Sequence, residues 1–201
     1  MNEKKNLTIE ETFDLAVQNQ QKNNLRVAEN LYKETLKINP NHVDAHNNLG
    51  MIFQVLGEFK KARSCYQKAI QIQPNDAYAA YYNLGLVFKE LGELQEAVDC
   101  HQKAIQIQPD FVDAHNNLGI VFKELGEYQK AISSYQKAIQ INPNYVGAYN
   151  NLGEIFRNLK EFKKAADCFK KVDTPLGKAQ FLECIYLSNG LENYNKLLNT
   201  F

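Results

Sequence analysis

The sequence has no excess of charge of either sign and no long run of apolar residues. Lys+Arg and Asp+Glu both number 23 in a chain of 201 residues, so the formal net charge is zero. Neither a nucleic acid nor a membrane is expected as a partner, because binding to either surface depends on a basic excess. No window approaches the ~20 apolar residues that a membrane-spanning helix needs. The first residues, MNEKKNLTIEETF, lack the apolar segment of a secretory signal.

Motifs for catalysis and metal binding are missing as well. The four cysteines include no CxxC pair and no Cys/His spacing of the zinc type. Three of them, Cys65, Cys100 and Cys168, occupy one position of a repeat, where stacked helices hold equivalent residues ~10 Å apart, too far for a disulfide. We interpret them as small apolar thiols in a reducing compartment and expect a cytoplasmic protein. Without a phosphate-binding loop, an HExxH motif or a nucleophile elbow, we expect no enzyme activity, no cofactor and no metal site.

What the sequence does contain is a repeat. The string Ala114–Asn144 recurs almost unchanged at Ala45–Asn75 and Ala80–Asp110, and more loosely from Ala148. Leu-Gly pairs mark the period, with spacings of 35, 34 and 34 residues: Leu49-Gly50, Leu84-Gly85, Leu118-Gly119 and Leu152-Gly153. Such self-similarity indicates an all-α solenoid, in which each unit buries its apolar face only against its neighbours.

Each unit predicts two helices joined by a short turn. In the unit that begins near Val112, the apolar residues of the first helix cluster on one arc at the angular spacing of a helix. Gly126 is expected to end that helix, and Tyr128–Ile141 to form the second. Pro143 then prevents the second helix from continuing.

The repeat also predicts boundaries. Residues 1–8 are expected to be a flexible tail, followed by five units at about 9–42, 43–76, 78–111, 112–145 and 146–175. The one extra residue between the second and third units, Ala77, is expected in a turn, where insertions cost little. The fifth unit departs from the pattern after Val172, so we interpret residues 176–201 as a degenerate helical pair, broken at Gly190, that caps the array.

The motif of each unit resembles the tetratricopeptide repeat in order and spacing. In the fourth unit the residues that carry the resemblance are Leu118-Gly119, Phe122, Gly126, Ala131, Tyr135, Ala138 and Pro143. The resemblance covers about residues 9–175. The third unit departs from the pattern, because His101 replaces the usual aromatic residue. It implies a right-handed αα-superhelix of helical hairpins, whose first helices line a concave groove that binds peptides or proteins.

Three rows of residues recur on the arc of the first helices that this pattern leaves unburied. The asparagine row is Asn48, Asn83, Asn117 and Asn151, flanked by Asn47, Asn116 and Asn150. The apolar row is Met51, Leu86 and Ile120, preceded by Val17 and interrupted by Glu154. The cation row is Lys89, Lys123 and Arg157, preceded by Gln20 and Gln54. We take the three rows as the candidate peptide-binding groove.

Each row has a functional and a structural interpretation. Asparagine is a mediocre helix former, and its amide can pair with both the N–H and the C=O of an extended peptide. The row resembles the asparagine ladder of the O-linked N-acetylglucosamine transferases. This resemblance implies that the amides bind the main chain of a peptide. Alternatively, these amides only bridge neighbouring helices or bind water. The apolar row predicts either a groove floor or a partly buried contact between repeats. The cation row predicts either an anion site or a solvated face neutralised by Glu90 and Glu124.

The leading hypothesis is therefore a protein-interaction scaffold or adaptor that binds an extended peptide or protein segment in the groove. One alternative is the substrate-recruiting part of a larger glycosyltransferase or methyltransferase, and another is a scaffold that self-associates. The C-terminal tail of a chaperone is not expected as a ligand. The carboxylate clamp that binds such tails needs Lys and Arg, and the corresponding positions here carry Asn47, Asn48, Met51 and Asn83.

Overall fold

The computed structural model describes residues 7–189, and within that range every element of regular structure is helical. A short 3-10 turn, Pro74–Asp76, precedes the fifth helix. The helices, in chain order, are α1 (Ile9–Gln21), α2 (Leu25–Ile38), α3 (Val43–Val55), α4 (Phe59–Ile72), α5 (Tyr78–Glu90), α6 (Leu94–Ile107), α7 (Val112–Glu124), α8 (Tyr128–Ile141), α9 (Val146–Asn158), α10 (Phe162–Phe169) and α11 (Pro175–Asn189). The predicted all-α class is confirmed, and α8 has the predicted bounds.

Consecutive helices pair as hairpins, and each hairpin turn has one residue in the left-handed backbone region. Glycine adopts this conformation without strain, whereas a residue with a side chain resists it. The residues and their φ angles are Asn23 (60°), Gly57 (72°), Gly92 (76°), Gly126 (76°) and Lys160 (62°). The fifth hairpin, α9–α10, therefore reverses direction at a lysine where its sister hairpins have glycine or asparagine.

Inside a hairpin, an aromatic ring of the second helix lies directly against a glycine of the first. A methyl group placed on Gly119 would lie 2.6 Å from the ring of Tyr135, so only glycine permits this approach. The same contact recurs in three other hairpins, in the pairs Gly50–Tyr66, Gly85–His101 and Gly153–Phe169. Fully buried alanines such as Ala62, Ala97 and Ala131 complete the core of the hairpins.

The chain divides into two compact units, Met1–Pro109 and Asp110–Phe201. In unit 1, α2 packs on α3 and α4 on α5, and the first helices α3 and α5 also touch each other. In unit 2, α8 packs on α9 and α10 on α11, and the first helices α7 and α9 touch. We call the solvent-facing arc of the first helices, which carries the three rows, the inner face of each unit.

The structure refines several boundaries. Thr8, assigned to the tail, caps α1: its hydroxyl accepts from the Glu11 N–H at 3.1 Å, and the Glu11 carboxylate accepts from the Thr8 N–H at 2.9 Å. Ala77 is not a surface insertion, because it is 5% exposed and packs with Ala69 and Ala80. The 3-10 turn before it takes up the extra residue. The tail residues 1–6 and the predicted break at Gly190 with its following helix lie outside the described residues. Between residues 7 and 189, no helix is both long and apolar enough to cross a membrane.

Candidate functional site

In unit 1 the asparagine row consists of Asn48 and Asn83, both half-buried. The Asn48 Nδ2 donates to the Tyr32 hydroxyl at 3.2 Å, and that hydroxyl donates to Gln20 Oε1 at 2.6 Å. The Asn83 Nδ2 donates to Oδ1 of Asn47, on the preceding first helix, at 3.4 Å. Both amides therefore bridge neighbouring hairpins, as the structural interpretation of the row predicts, and both keep part of their surface open to solvent.

In unit 2 the row consists of Asn117 and Asn151, which are also half-buried. The Asn117 Nδ2 donates to the main-chain carbonyl of Asp113, one turn earlier in α7, at 3.0 Å. The Asn151 Nδ2 donates to Oδ1 of Asn116 at 3.0 Å, across from α9 to α7. Of the flanking asparagines, Asn116 is only 7% exposed and Asn150 is half-buried. The Asn–Asn bridge between first helices is thus common to the two units.

The apolar row is most exposed in unit 1. Met51 is 38% exposed, whereas Leu86 and Ile120 are half-buried. One turn after Met51, Val55 is 71% exposed, the largest exposure among the described large hydrophobic residues. Val55 is not a member of the predicted rows, although its helical position, four residues after Met51, was the available signal. Met51 and Val55 together form an apolar patch on the inner face of α3.

Each member of the cation row is paired with a carboxylate. The pairs are Lys89–Glu90 at 3.1 Å, Lys123–Glu154 at 3.1 Å and Arg157–Glu183 at 3.4 Å. We expected Lys123 to pair with its sequence neighbour Glu124. In the structure its partner is instead Glu154, a glutamate of the next hairpin. Pairs this exposed add at most about 1 kcal/mol of stability. Their consequence for binding is that the three cations are already neutralised.

Behind the inner face, the hydrogen bonding of the aromatic position is not the same in all hairpins. The Tyr66 hydroxyl donates to Gln54 Oε1 at 3.0 Å, as Tyr32 does in the first hairpin. In the fourth hairpin a lysine replaces that glutamine, and within the described residues the buried Tyr135 hydroxyl has no partner. His101 is fully buried in the third hairpin, and neither ring nitrogen has a partner in the described part of the chain. Burial, aided by the Lys89 charge, lowers the pKa of His101 to about 4, so its ring is neutral.

The cysteines lie in the packing layers. Cys100, Cys168 and Cys184 are buried and Cys65 is half-buried. Burial raises the pKa of Cys65 and Cys168 to about 11 and that of Cys100 to about 12, so these thiols stay protonated and weakly nucleophilic at neutral pH. Over residues 7–189, no group of three His, Cys, Asp or Glu residues is arranged to hold a metal ion.

Family models described as tetratricopeptide repeats match residues 42–110, 112–145 and 134–166. The chain is 45% identical over 52 residues to "Uncharacterized protein ycf37" of Pyropia yezoensis, a match that covers 26% of this chain and 29% of that protein. The chain thus matches less than a third of the length of this curated relative.

Solved structures share the fold. A crystal structure of MamA is 28% identical, with a TM-score of 0.73 over 84% of this chain and 96% of that chain. Pseudomonas aeruginosa PilF reaches a TM-score of 0.80 at 19% identity, over 96% and 90% of the two chains. YrrB, a tetratricopeptide repeat protein with an unusual peptide-binding site, reaches 0.66 at 18% identity, over 94% and 91%. At the latter two identities the likeness concerns the fold alone. The motif, the hairpins and the matched family models together show that the chain belongs to the tetratricopeptide repeat family.

Proposed function

We propose that this protein is a scaffold or adaptor that binds an extended segment of another protein on the inner face of its repeats. The observation that carries the proposal is the asparagine row. Its amides recur at one helical position, stay partly open to solvent, and are each held by a hydrogen bond within the protein. A side chain that is already held loses little conformational entropy when a ligand arrives.

An extended segment suits such a surface because its main-chain N–H and C=O groups lack partners until it binds. Each hydrogen bond contributes only ~0.5–1.5 kcal/mol net, so several are needed. Within each unit the row offers amides on two successive first helices, and the main chain of one extended segment has several N–H and C=O groups that can bond to them. Apolar side chains of a segment bound on unit 1 would contact Met51 and Val55, and these contacts would add specificity.

One structural neighbour is consistent with this class of ligand. YrrB has the same repeat and carries a peptide-binding site. Since YrrB shares only the fold with this chain, it supports a peptide as a class of partner and says nothing of the residues that bind it.

The test begins with selection of binders from a displayed library of linear peptides, whose affinity is then measured by fluorescence anisotropy. Asn83→Ala removes one inner-face amide, and Gln102→Ala removes an exposed amide from the second helix α6 of the same hairpin. We expect Asn83→Ala to weaken binding about tenfold, equivalent to ~1.4 kcal/mol, and Gln102→Ala to leave it unchanged. Circular dichroism checks that both variants remain helical.

Equal affinity for the wild type and Asn83→Ala would contradict a ligand on the inner face. A competing self-associated form would appear as a rise of molecular mass with concentration in light scattering. If the molecular mass measured by light scattering is the same with and without the peptide, peptide binding and self-association use different surfaces.

A further inference from the structure

The hydrogen bonds of the asparagine row decide which amide atom faces a ligand. The hydrogen of the Tyr32 hydroxyl is used on Gln20, so the hydroxyl accepts from the nitrogen of Asn48. In α7, Asn117 contacts a main-chain carbonyl oxygen, which can only accept, so the nitrogen must be the atom that points there. In both units, the amide nitrogen of the row is directed into the protein.

The two Asn–Asn bridges follow the same direction. The Asn83 Nδ2–H donates to Asn47 Oδ1 at 3.4 Å, and the Asn151 Nδ2–H donates to Asn116 Oδ1 at 3.0 Å. The carbonyl oxygens of Asn48, Asn83 and Asn151 accept no hydrogen bond from any described residue. These oxygens are therefore the atoms left for a ligand, and each can accept from up to two donors.

The charged side chains of the inner face are mostly negative, so they attract the same kind of group as the amide oxygens do. The formal net charge of the whole chain is nevertheless zero. In unit 1 the charged residues on this arc are Glu10, Asp14, Asp44 and Glu90 against Lys89. In unit 2 they are Asp113, Glu124 and Glu154 against Lys123 and Arg157. Each of these cations already has a carboxylate partner. Each unit thus presents carboxylates in excess, together with amide oxygens.

From this polarity we infer that the segment bound on the inner face is basic: an extended peptide with Lys or Arg side chains and at least one apolar residue. Its N–H, ammonium and guanidinium groups are donors that the amide oxygens and carboxylates can accept, and hydrogen bonds to charged groups are the stronger kind. Its apolar side chain contacts the patch of Met51 and Val55. An acidic segment would bring its carboxylates against the carboxylates and amide oxygens of the inner face. The cations there could not offset this repulsion, because they are already paired.

This inference rests on the proposed function and is tested separately from it. The probes are three fluorescent peptides of equal length that share the same apolar residues. The remaining positions carry lysine and arginine in the first, glutamate and aspartate in the second, and serine and glutamine in the third. Anisotropy titrations at low and moderate salt give the three affinities. We expect the basic peptide to bind at least about tenfold more tightly than the neutral one, with a preference that weakens as salt screens the charges, and the acidic peptide not to bind.

Two matched variants locate the effect on the protein. Glu90→Lys reverses an inner-face charge at the end of α5, and Glu96→Lys makes the same change on the exposed surface of α6 in the same hairpin. Glu90→Lys should weaken the basic peptide severalfold, and Glu96→Lys should leave its affinity unchanged. Asn83→Asp keeps an outward oxygen and should preserve or strengthen binding of the basic peptide, whereas Asn83→Ala should weaken it.

The outcomes separate the two ideas. If the neutral or acidic peptide binds as tightly as the basic one and loses affinity in Asn83→Ala, the inference is wrong and the proposed function stands. If Glu90→Lys and Glu96→Lys weaken the basic peptide equally, the charge effect is not specific to the inner face, and the inference is wrong as well. If none of the peptides responds to Asn83→Ala, both the proposed function and the inference fail.

Discussion

Replacing His101 by phenylalanine should stabilise the protein and make its stability less sensitive to acid. His101 is fully buried against Gly85, and its two ring nitrogens find no hydrogen-bond partner in the described part of the chain. In the fifth hairpin, Phe169 packs against Gly153 in the same way, so a phenyl ring fits this position without repacking. The substitution therefore removes polar atoms and keeps the shape.

The magnitude follows from the pKa of the buried ring. Burial lowers the pKa of His101 from 6.5 to about 4 in the folded protein. Below pH 6.5 the unfolded chain binds a proton that the folded protein does not, so the free energy of unfolding is highest above that pH and falls as the pH drops toward 4. At about 1.4 kcal/mol per pH unit, the loss is about 3 kcal/mol. At neutral pH, removal of the unpaired nitrogens should add a further ~1–3 kcal/mol.

Urea denaturation of the wild type and His101→Phe, at neutral pH and near pH 4, measures both effects. Carboxylates titrate in this range too, but they do so in both proteins, so the difference between the two unfolding free energies isolates His101. We expect the advantage of His101→Phe to grow by about 3 kcal/mol on acidification. Phe169→His is the reverse exchange and should introduce acid sensitivity. An advantage of the same size at both pH values would refute the idea that the fold holds His101 neutral.

Two further predictions use differences between sister hairpins. Tyr66→Phe removes a hydroxyl that donates to Gln54 at 3.0 Å and should lower the free energy of unfolding by ~0.5–1.5 kcal/mol. Tyr135→Phe removes a hydroxyl without a partner among the described residues and should leave that free energy unchanged or raise it; equal losses in urea would contradict this account. Lys160→Gly should raise the midpoint of thermal unfolding by relieving ~1 kcal/mol of strain at φ 62°. Gly126→Lys, at φ 76°, should lower it, and no change in either variant would argue against strain at the turn.

Some details of the inner face could have been predicted from the sequence and others could not. The rows were visible because a helix places residues of equal repeat position on the same arc. The exposure of Val55 was within reach of the same reasoning. The pairing of Lys123 with Glu154 was not, because the two residues are 31 positions apart and their contact depends on how α9 packs on α7. The burial of Ala77 depends likewise on the geometry of the 3-10 turn before it.

The sequence by itself determined the hairpins, since their signals act within a single repeat. These signals are the apolar periodicity, the turn glycines Gly57, Gly92 and Gly126, and the prolines Pro40, Pro74, Pro109 and Pro143 that follow the second helices of the first four units. Only the tertiary structure decided which atoms of the asparagine row are hydrogen-bonded within the protein. The orientation of these amides is set by hydrogen bonds such as Asn83–Asn47 and Asn151–Asn116, which join residues 36 and 35 positions apart. An amide carries a donor and an acceptor on the same carbon, so its residue type leaves the polarity of the surface open until a neighbouring helix takes one of the two.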